Sequence, residues 1–202
     1  MTRPKAGTAS VVTKNNDSGQ ALREALKTVA VALKEGDIPF ALAGGYAIWA
    51  RGGPEPDHDV DFVVAEDDAA KAAEMLGERG LDVVHPPEDW LFKVYVNDAM
   101  VDVLFQANGL SVLREELADV EKLEVESVAM PVLSATVLME QRLNALEEHA
   151  CDFGRQLPVA RAVREQVDWD EVRAVTADNP FAASFVFLLE RLDVIEPSRT
   201  DS

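Results

Sequence analysis

Two linked stretches decide how this chain is read: Phe40-Ala41-Leu42-Ala43-Gly44-Gly45-Tyr46-Ala47-Ile48-Trp49, and beyond a proline-broken turn, Asp59-Val60-Asp61-Phe62-Val63-Val64. The first opens with four apolar residues, a strand's worth, and passes through two glycines into a helical run. Strand, glycine pair and helix together make a phosphate-receiving geometry. Glycine lets an anion approach the backbone, and the amides that open a helix present partial positive charge to it. The Walker spacing G-x-x-x-x-G-K-[ST] is absent, and without a ligand the same residues make a tight strand-to-helix turn.

In the second stretch, strand alternation turns Asp59 and Asp61 to one face and Val60, Phe62 and Val64 to the other. Neighbouring ionised carboxylates repel, so a structure that holds them together calls for a cation, and Mg²⁺ prefers a shell of carboxylate and water oxygens. Asp102 stands alone in the apolar run Val101-Asp102-Val103-Leu104-Phe105, where an acid is costly unless paired, hydrogen-bonded or ligated. Asp59, Asp61 and Asp102 are therefore the expected metal site. The alternatives are a solvent-facing edge strand for the first pair and a strand-end turn for Asp102.

Outward from these motifs, Leu22, Leu26, Val29 and Leu33 recur at helical spacing over Ala21 to Glu35, with Gly36 as a stop. Strand chemistry marks Phe40–Ala43, Asp59–Ala65, Leu81–Val84, Leu91–Val96 and Met100–Phe105. Helical patterns lie at Tyr46–Ala50, Asp67–Arg79 and Leu110–Leu117. This order predicts an α/β fold with a mixed sheet flanked by helices. After Pro131 the pattern becomes helical, over Ser134–Glu148, Asp152–Glu165, Trp169–Ala174 and Pro180–Leu192. The expected organisation is a loose tail over 1–18, a core over 19–130, a helical subdomain over 131–195 and a second tail over 196–202.

A chain of 202 residues with 48% hydrophobic content suits one core, or one core with a small helical appendage. Cys151 is the only cysteine, so no internal disulfide forms, as expected of a cytoplasmic protein. The leading residues lack the apolar stretch of a signal peptide and Phe181–Leu189 is too short to span a bilayer, so no membrane association is expected. The net charge of −18 repels nucleic acid and anionic membranes at long range. A polyanionic substrate must then be met by local cations or metal.

An apolar strand, Gly-Gly, D-x-D and a later lone Asp in an apolar strand: this pattern resembles the DNA polymerase β-like nucleotidyltransferase superfamily. Within it, LAGGYAIWARGGPEPDHDVDFVV (Leu42 to Val64) is most similar to the small bacterial branch that contains AbiEii-type toxins, MenT-type tRNA-modifying toxins and lincosamide nucleotidyltransferases. The likeness runs from Ala21 to about Phe105. It implies a nucleotidyltransferase core in which Gly44 and Gly45 form the nucleotide-phosphate turn and Asp59, Asp61 and Asp102 are catalytic, holding two Mg²⁺ ions. It further implies transfer of NMP from an NTP to an acceptor hydroxyl with release of pyrophosphate. The acceptor is either tRNA, as for a toxin with an antitoxin partner, or a small hydroxylated, antibiotic-like molecule. A non-catalytic module that binds a nucleotide or a protein is the alternative of another class.

The chain departs from the family pattern at Gly45, where Ser is frequent, at Asp57, where toxins tend to carry Ser or Thr, and at Arg142, where Lys is usual. Arg142 and Lys93 are the expected nucleotide-binding cations, since either pairs with phosphate. His149 falls seven residues beyond Arg142, and Asp152 opens the next helix. His58 alternates away from the two aspartates, Arg51 closes the glycine-led helix, and Arg155, Arg161 and Arg164 form a basic cluster suited to an anionic acceptor. A surface ion pair explains Arg142 equally well and His149 better, a solvated helix end is the alternative for Arg51, and an ordinary helix surface explains the arginine cluster equally well.

Overall fold

The structure, a computed structural model, describes residues 9–107, 109–118 and 120–197. A helix α1 (Ala9–Glu35) leads into β1 (Phe40–Ala43), α2 (Gly44–Ala50), β2 (Val60–Val64), α3 (Glu66–Glu78), β3 (Asp82–Val84), β4 (Leu91–Val96) and β5 (Ala99–Leu104). These strands form one sheet in the order β1-β2-β5-β4-β3. Only the β2–β5 pair is parallel. The sheet is mixed and flanked by helices, as expected from the sequence.

Alternation decides which face is the core. Val60, Phe62 and Val64 of β2, Val101 and Val103 of β5, and Phe92 and Val94 of β4 are all buried. Against this face pack α1, through the Leu22, Leu26, Val29 and Leu33 stripe, and α3, through Ala69, Ala72, Ala73 and Leu76. Full burial of each large apolar side chain contributes roughly 1.5–3 kcal/mol. The opposite face carries Asp61, Lys93 and Asp102.

Beyond shifts of a residue or two at element ends, the structure departs from the sequence reading in four places. Helix α1 begins at Ala9 rather than Ala21, so residues 9–18 of the expected tail are helical; residues 1–8 and 198–202 lie outside the described residues. The helix expected over Leu110–Leu117 is instead a small hairpin, β6 (Gln106–Ala107) with β7 (Leu110–Ser111), and a 3₁₀ turn over Arg114–Leu117. Gly109, with φ of +77°, supplies the left-handed residue in the hairpin turn. A second hairpin, β8 (Lys122–Val125) with β9 (Val128–Pro131), occupies a stretch where the sequence marks no strand. Its turn residues Glu126 and Ser127 have φ of 48° and 65°, a primed-turn conformation adopted without the usual glycine or asparagine. Finally, the helix from Ser134 ends at Asn144.

The helices after β9 are α4 (Ala135–Asn144), α5 (Phe153–Val163), α6 (Trp169–Val175) and α7 (Pro180–Arg191). Each opens on a side-chain cap, from Ser134, Asp152, Asp168 and Asn179 respectively. Such caps contribute about 1 kcal/mol each.

The chain returns to the sheet between β9 and α4. Leu133 N–H donates to Leu42 O at 3.0 Å, beside a parallel bridge between Leu42 and Val132. Arg51 fastens this crossing. Its Nε donates to Leu133 O at 2.6 Å and its Nη2 to Val132 O at 3.0 Å, while Nη1 lies 3.1 Å from Glu121. With its side chain only 7% exposed, Arg51 is a tie between segments. Replacing it by Met leaves two carbonyls without donors, a loss of about 2–4 kcal/mol. Urea unfolding of Arg51→Met should show that loss as a lower midpoint at unchanged slope, and Arg51→Lys should recover only part of it.

Candidate active site

The parallel register of β2 and β5 sets Asp61 directly opposite Asp102, and the antiparallel register of β4 sets Lys93 opposite Asp102 from the other side. Asp59 immediately precedes β2 and shares the face of Asp61. One carboxylate oxygen from each of Asp59, Asp61 and Asp102 lies within 4.8 Å of the others. The donors are all hard oxygen ligands, which fit a divalent cation such as Mg²⁺.

Their electrostatics point the same way. Burial, then the charges of Asp59 and Asp102, push the Asp61 carboxyl up to about 7; a Gly45 backbone N–H and the Arg142 charge pull against the shift. Burial and Asp102 likewise raise Asp59, opposed by His58 and Lys93. A cation between them relieves both burial and repulsion.

The glycine pair makes this crowding possible. Gly44 has φ of +58°, and a Cβ there would lie 1.8 Å from Asp61 Oδ2. At Gly45 a Cβ would fall 2.8 Å from Pro56 Cβ. Sequence reasoning assigns both glycines to a nucleotide phosphate; the structure gives them an additional duty, since Gly44 makes room for the Asp61 carboxylate and the Gly45 amide is bonded to it.

A cleft of about 600 Å³ opens here, lined by Gly44, Gly45, Asp59, Asp61, Arg142 and Arg155 among others. Arg142 reaches it from α4, its Nε donating to Gln156 Oε1 of α5 at 3.0 Å. His149 and Asp152 line the same cleft, with Asp152 occupied as the cap of α5, accepting from Arg155 N–H at 3.2 Å. His58 is exposed, with Nε2 3.1 Å from Asp57 Oδ1 and 3.5 Å from Arg155 Nη2.

Lys93 lies on β4, beside the aspartates. Its Nζ sits 2.8 Å from Asp102 Oδ1, and it is not among the described residues lining the cleft. Of the basic cluster, Arg155 alone reaches the cleft; Arg164 pairs with Glu165 and donates to the Arg161 carbonyl. Gln156, which orients Arg142, goes unmarked in the sequence because its contact joins two helices.

A second cavity of about 450 Å³ shares Gly44, Asp61 and Arg142 with the cleft and continues along Val63, Trp90, Leu104, Gln106, Leu138 and Gln141. Trp90, 40% exposed, stands in its wall. A third cavity, about 1040 Å³, lies farther along α4 beside Arg51, Glu121 and Glu140 and touches none of the three aspartates among the described residues.

The Asp61 shift has a sign that can be checked. Its carboxyl ionises near 3.8 in the unfolded chain and near 7 when folded, so between those values the unfolded state releases its proton first. The metal-free protein therefore loses stability as pH rises through this window. Asp61→Asn should remove that loss, raising the melting temperature of the metal-free chain at pH 7.5 by about 4 °C or more, with little change at pH 4. Thermal melts of both proteins in chelator across pH 4–8 make the test.

No protein-family model matches this sequence, and no curated protein matches it. Solved structures do. The chain is similar to the antibiotic-resistance factor ANT(2'')-Ia in its solution structure, at TM-score 0.57 and 15% identity over 85% of this chain and 96% of that one. It is equally similar to the crystal structure of ANT(2'')-Ia in complex with adenylyl-2''-tobramycin, at TM-score 0.57 and 14% identity over 82% and 97%. Lincomycin-bound LnuA, a lincosamide antibiotic adenylyltransferase, matches at TM-score 0.48 and 11% identity over 74% and 95%. At these identities the likeness is one of fold, and the chain has the mixed α/β fold of ANT(2'')-Ia.

Proposed function

We propose that this chain is a metal-dependent nucleotidyltransferase that moves NMP from an NTP to an acceptor hydroxyl and releases pyrophosphate. The observation that carries the reading is the convergence of Asp59, Asp61 and Asp102 oxygens within 4.8 Å, beside a cleft that also presents Arg142 and Arg155. A non-catalytic module has no need to hold three carboxylates together against burial and repulsion.

Asp59, Asp61 and Asp102 would hold a divalent cation such as Mg²⁺, which would supply Lewis-acid stabilisation of charge at the α-phosphate. Arg142 and Arg155 offset the charge of the β and γ phosphates in the cleft, with Gln156 fixing the Arg142 guanidinium. The cavity beside Trp90, uncharged beyond Asp61 and Arg142 at its shared end, receives the nucleoside. Asp102 lines neither of these spaces among the described residues; it faces the acceptor and takes its hydroxyl proton. The acceptor oxygen bonds to the α-phosphorus as the bond to pyrophosphate breaks.

Two acceptors have support. A tRNA end, the acceptor of a toxin-type enzyme with an antitoxin partner, is favoured by Arg155 at the mouth of the cleft. A small hydroxylated, cationic molecule is favoured by the net charge of −18 and by the adenylyl-2''-tobramycin complex of ANT(2'')-Ia. Incubation with each labelled NTP, Mg²⁺ and either total tRNA or a panel of aminated antibiotics separates them. Label on one acceptor class with wild type, and at least a hundredfold less with Asp59→Ala or Asp61→Ala, is the expected result. Absence of any nucleotide binding would sink the enzyme reading.

A further inference from the structure

Resting on the nucleotide reading above, we infer that Gln106, locked in one orientation by Glu66, selects the nucleobase, so that the cavity beside Trp90 favours a base with an exocyclic amino group over its oxo counterpart. The cavity offers a base one aromatic face and two primary amides. Trp90 stands in its wall, while Gln106 lines it from β6 and Gln141 from α4. An aromatic ring stacks on every base alike, whereas an amide reads a base edge.

Only one of the two amides is fixed. Gln106 Nε2 donates to Glu66 Oε1 at 3.1 Å. Hydrogen bonds from Ser111 and then Gln106 hold the Glu66 carboxyl below its ordinary range. An ionised carboxylate only accepts, so the Gln106 amide cannot turn over. Glu66 is not among the described residues lining the cavity. With the Nε2 end turned to Glu66, the Oε1 end is left for the cavity, and it is an acceptor. Platform and reader are also joined, since Trp90 O accepts from Phe105 N–H at 3.0 Å and from Gln106 N–H at 3.4 Å. The hairpin beyond them is seated on α3, where Glu66 N–H donates to Val112 O at 3.0 Å. By contrast, no side-chain hydrogen bond fixes Gln141 among the described residues, so its amide can present either end and does not discriminate. A carbonyl opposite an amino group gains a hydrogen bond. Opposite an oxo group two acceptors meet, and both lose water without a partner. An oxo base could offer its ring N–H instead only by sliding across the Trp90 ring, away from the position its ribose and phosphates set.

Calorimetric binding of ATP, ITP, CTP and UTP to the full chain, with Mg²⁺ and no acceptor, tests this without any turnover. ITP carries a 6-oxo group where ATP carries a 6-amino group, and UTP differs from CTP in the same way at position 4. Whichever of the two pairs the cavity holds more tightly, its amino member should outbind its oxo member by at least about tenfold. Glu66→Gln, which frees the Gln106 amide to turn over, and Gln106→Met should each bring that ratio close to one. Trp90→Ala should weaken both members by about tenfold and leave their ratio as it is. Circular dichroism shows whether each variant is folded, and either of the first two suffices to decide. A ratio near one or inverted in wild type, or one that survives in a folded Glu66→Gln or Gln106→Met, would overturn the role of Gln106 and leave the nucleotide site standing. If wild type binds none of the four, the nucleotide reading itself fails and the inference goes with it.

Discussion

The mutual repulsion of Asp59, Asp61 and Asp102 is the constraint around which the rest of this structure is arranged. Two strands in parallel register bring Asp61 and Asp102 face to face, and the neighbouring antiparallel strand delivers Lys93 to Asp102. The helical half contributes Arg142, held by Gln156. The glycine turn contributes an amide from Gly45. Each of these offsets a little of the unfavourable charge, and what they leave uncompensated would favour a cation. In the proposed reading, stability is given up locally so that an ion can be held, a trade expected where pre-organised charge serves chemistry.

Much of this was legible in the sequence, and the unread remainder has physical causes. Alternation in Asp59-Val60-Asp61-Phe62-Val63-Val64 reveals which side chains share a face, and an isolated acid in an apolar strand marks Asp102. The five strands of the main sheet follow from short β-branched and aromatic runs. Register does not follow, because pairing partners are distant in sequence; the Lys93–Asp102 pair was therefore hidden. The β8–β9 hairpin was hidden for a different reason. Its turn places Glu126 and Ser127 in the left-handed region, where sequence rules look for Asn or Gly. At Leu110–Leu117 a helical apolar spacing lost to the turn supplied by Gly109.

The connection between the halves relies on a charged side chain used as a backbone donor. Arg51, at the end of α2, binds the carbonyls of Val132 and Leu133 just before α4 begins. The helix that opens on the glycine turn and the helix that carries Arg142 are thus tied together at one point, on the far side of α2 from the aspartates. Such a tie fixes the distance between the two walls of the cleft, which matters because phosphate and metal contacts tolerate little misplacement.

Gly44 has an evolutionary corollary. The space its missing side chain would fill is already taken by an oxygen of Asp61, so the two positions behave as a single heritable unit. A lineage that keeps the carboxylate is confined to glycine at 44, whereas one that loses it is released from that steric bar, although the positive φ still favours glycine. Drift at position 44 among descendants would therefore be the visible trace of an acidic centre that had fallen silent.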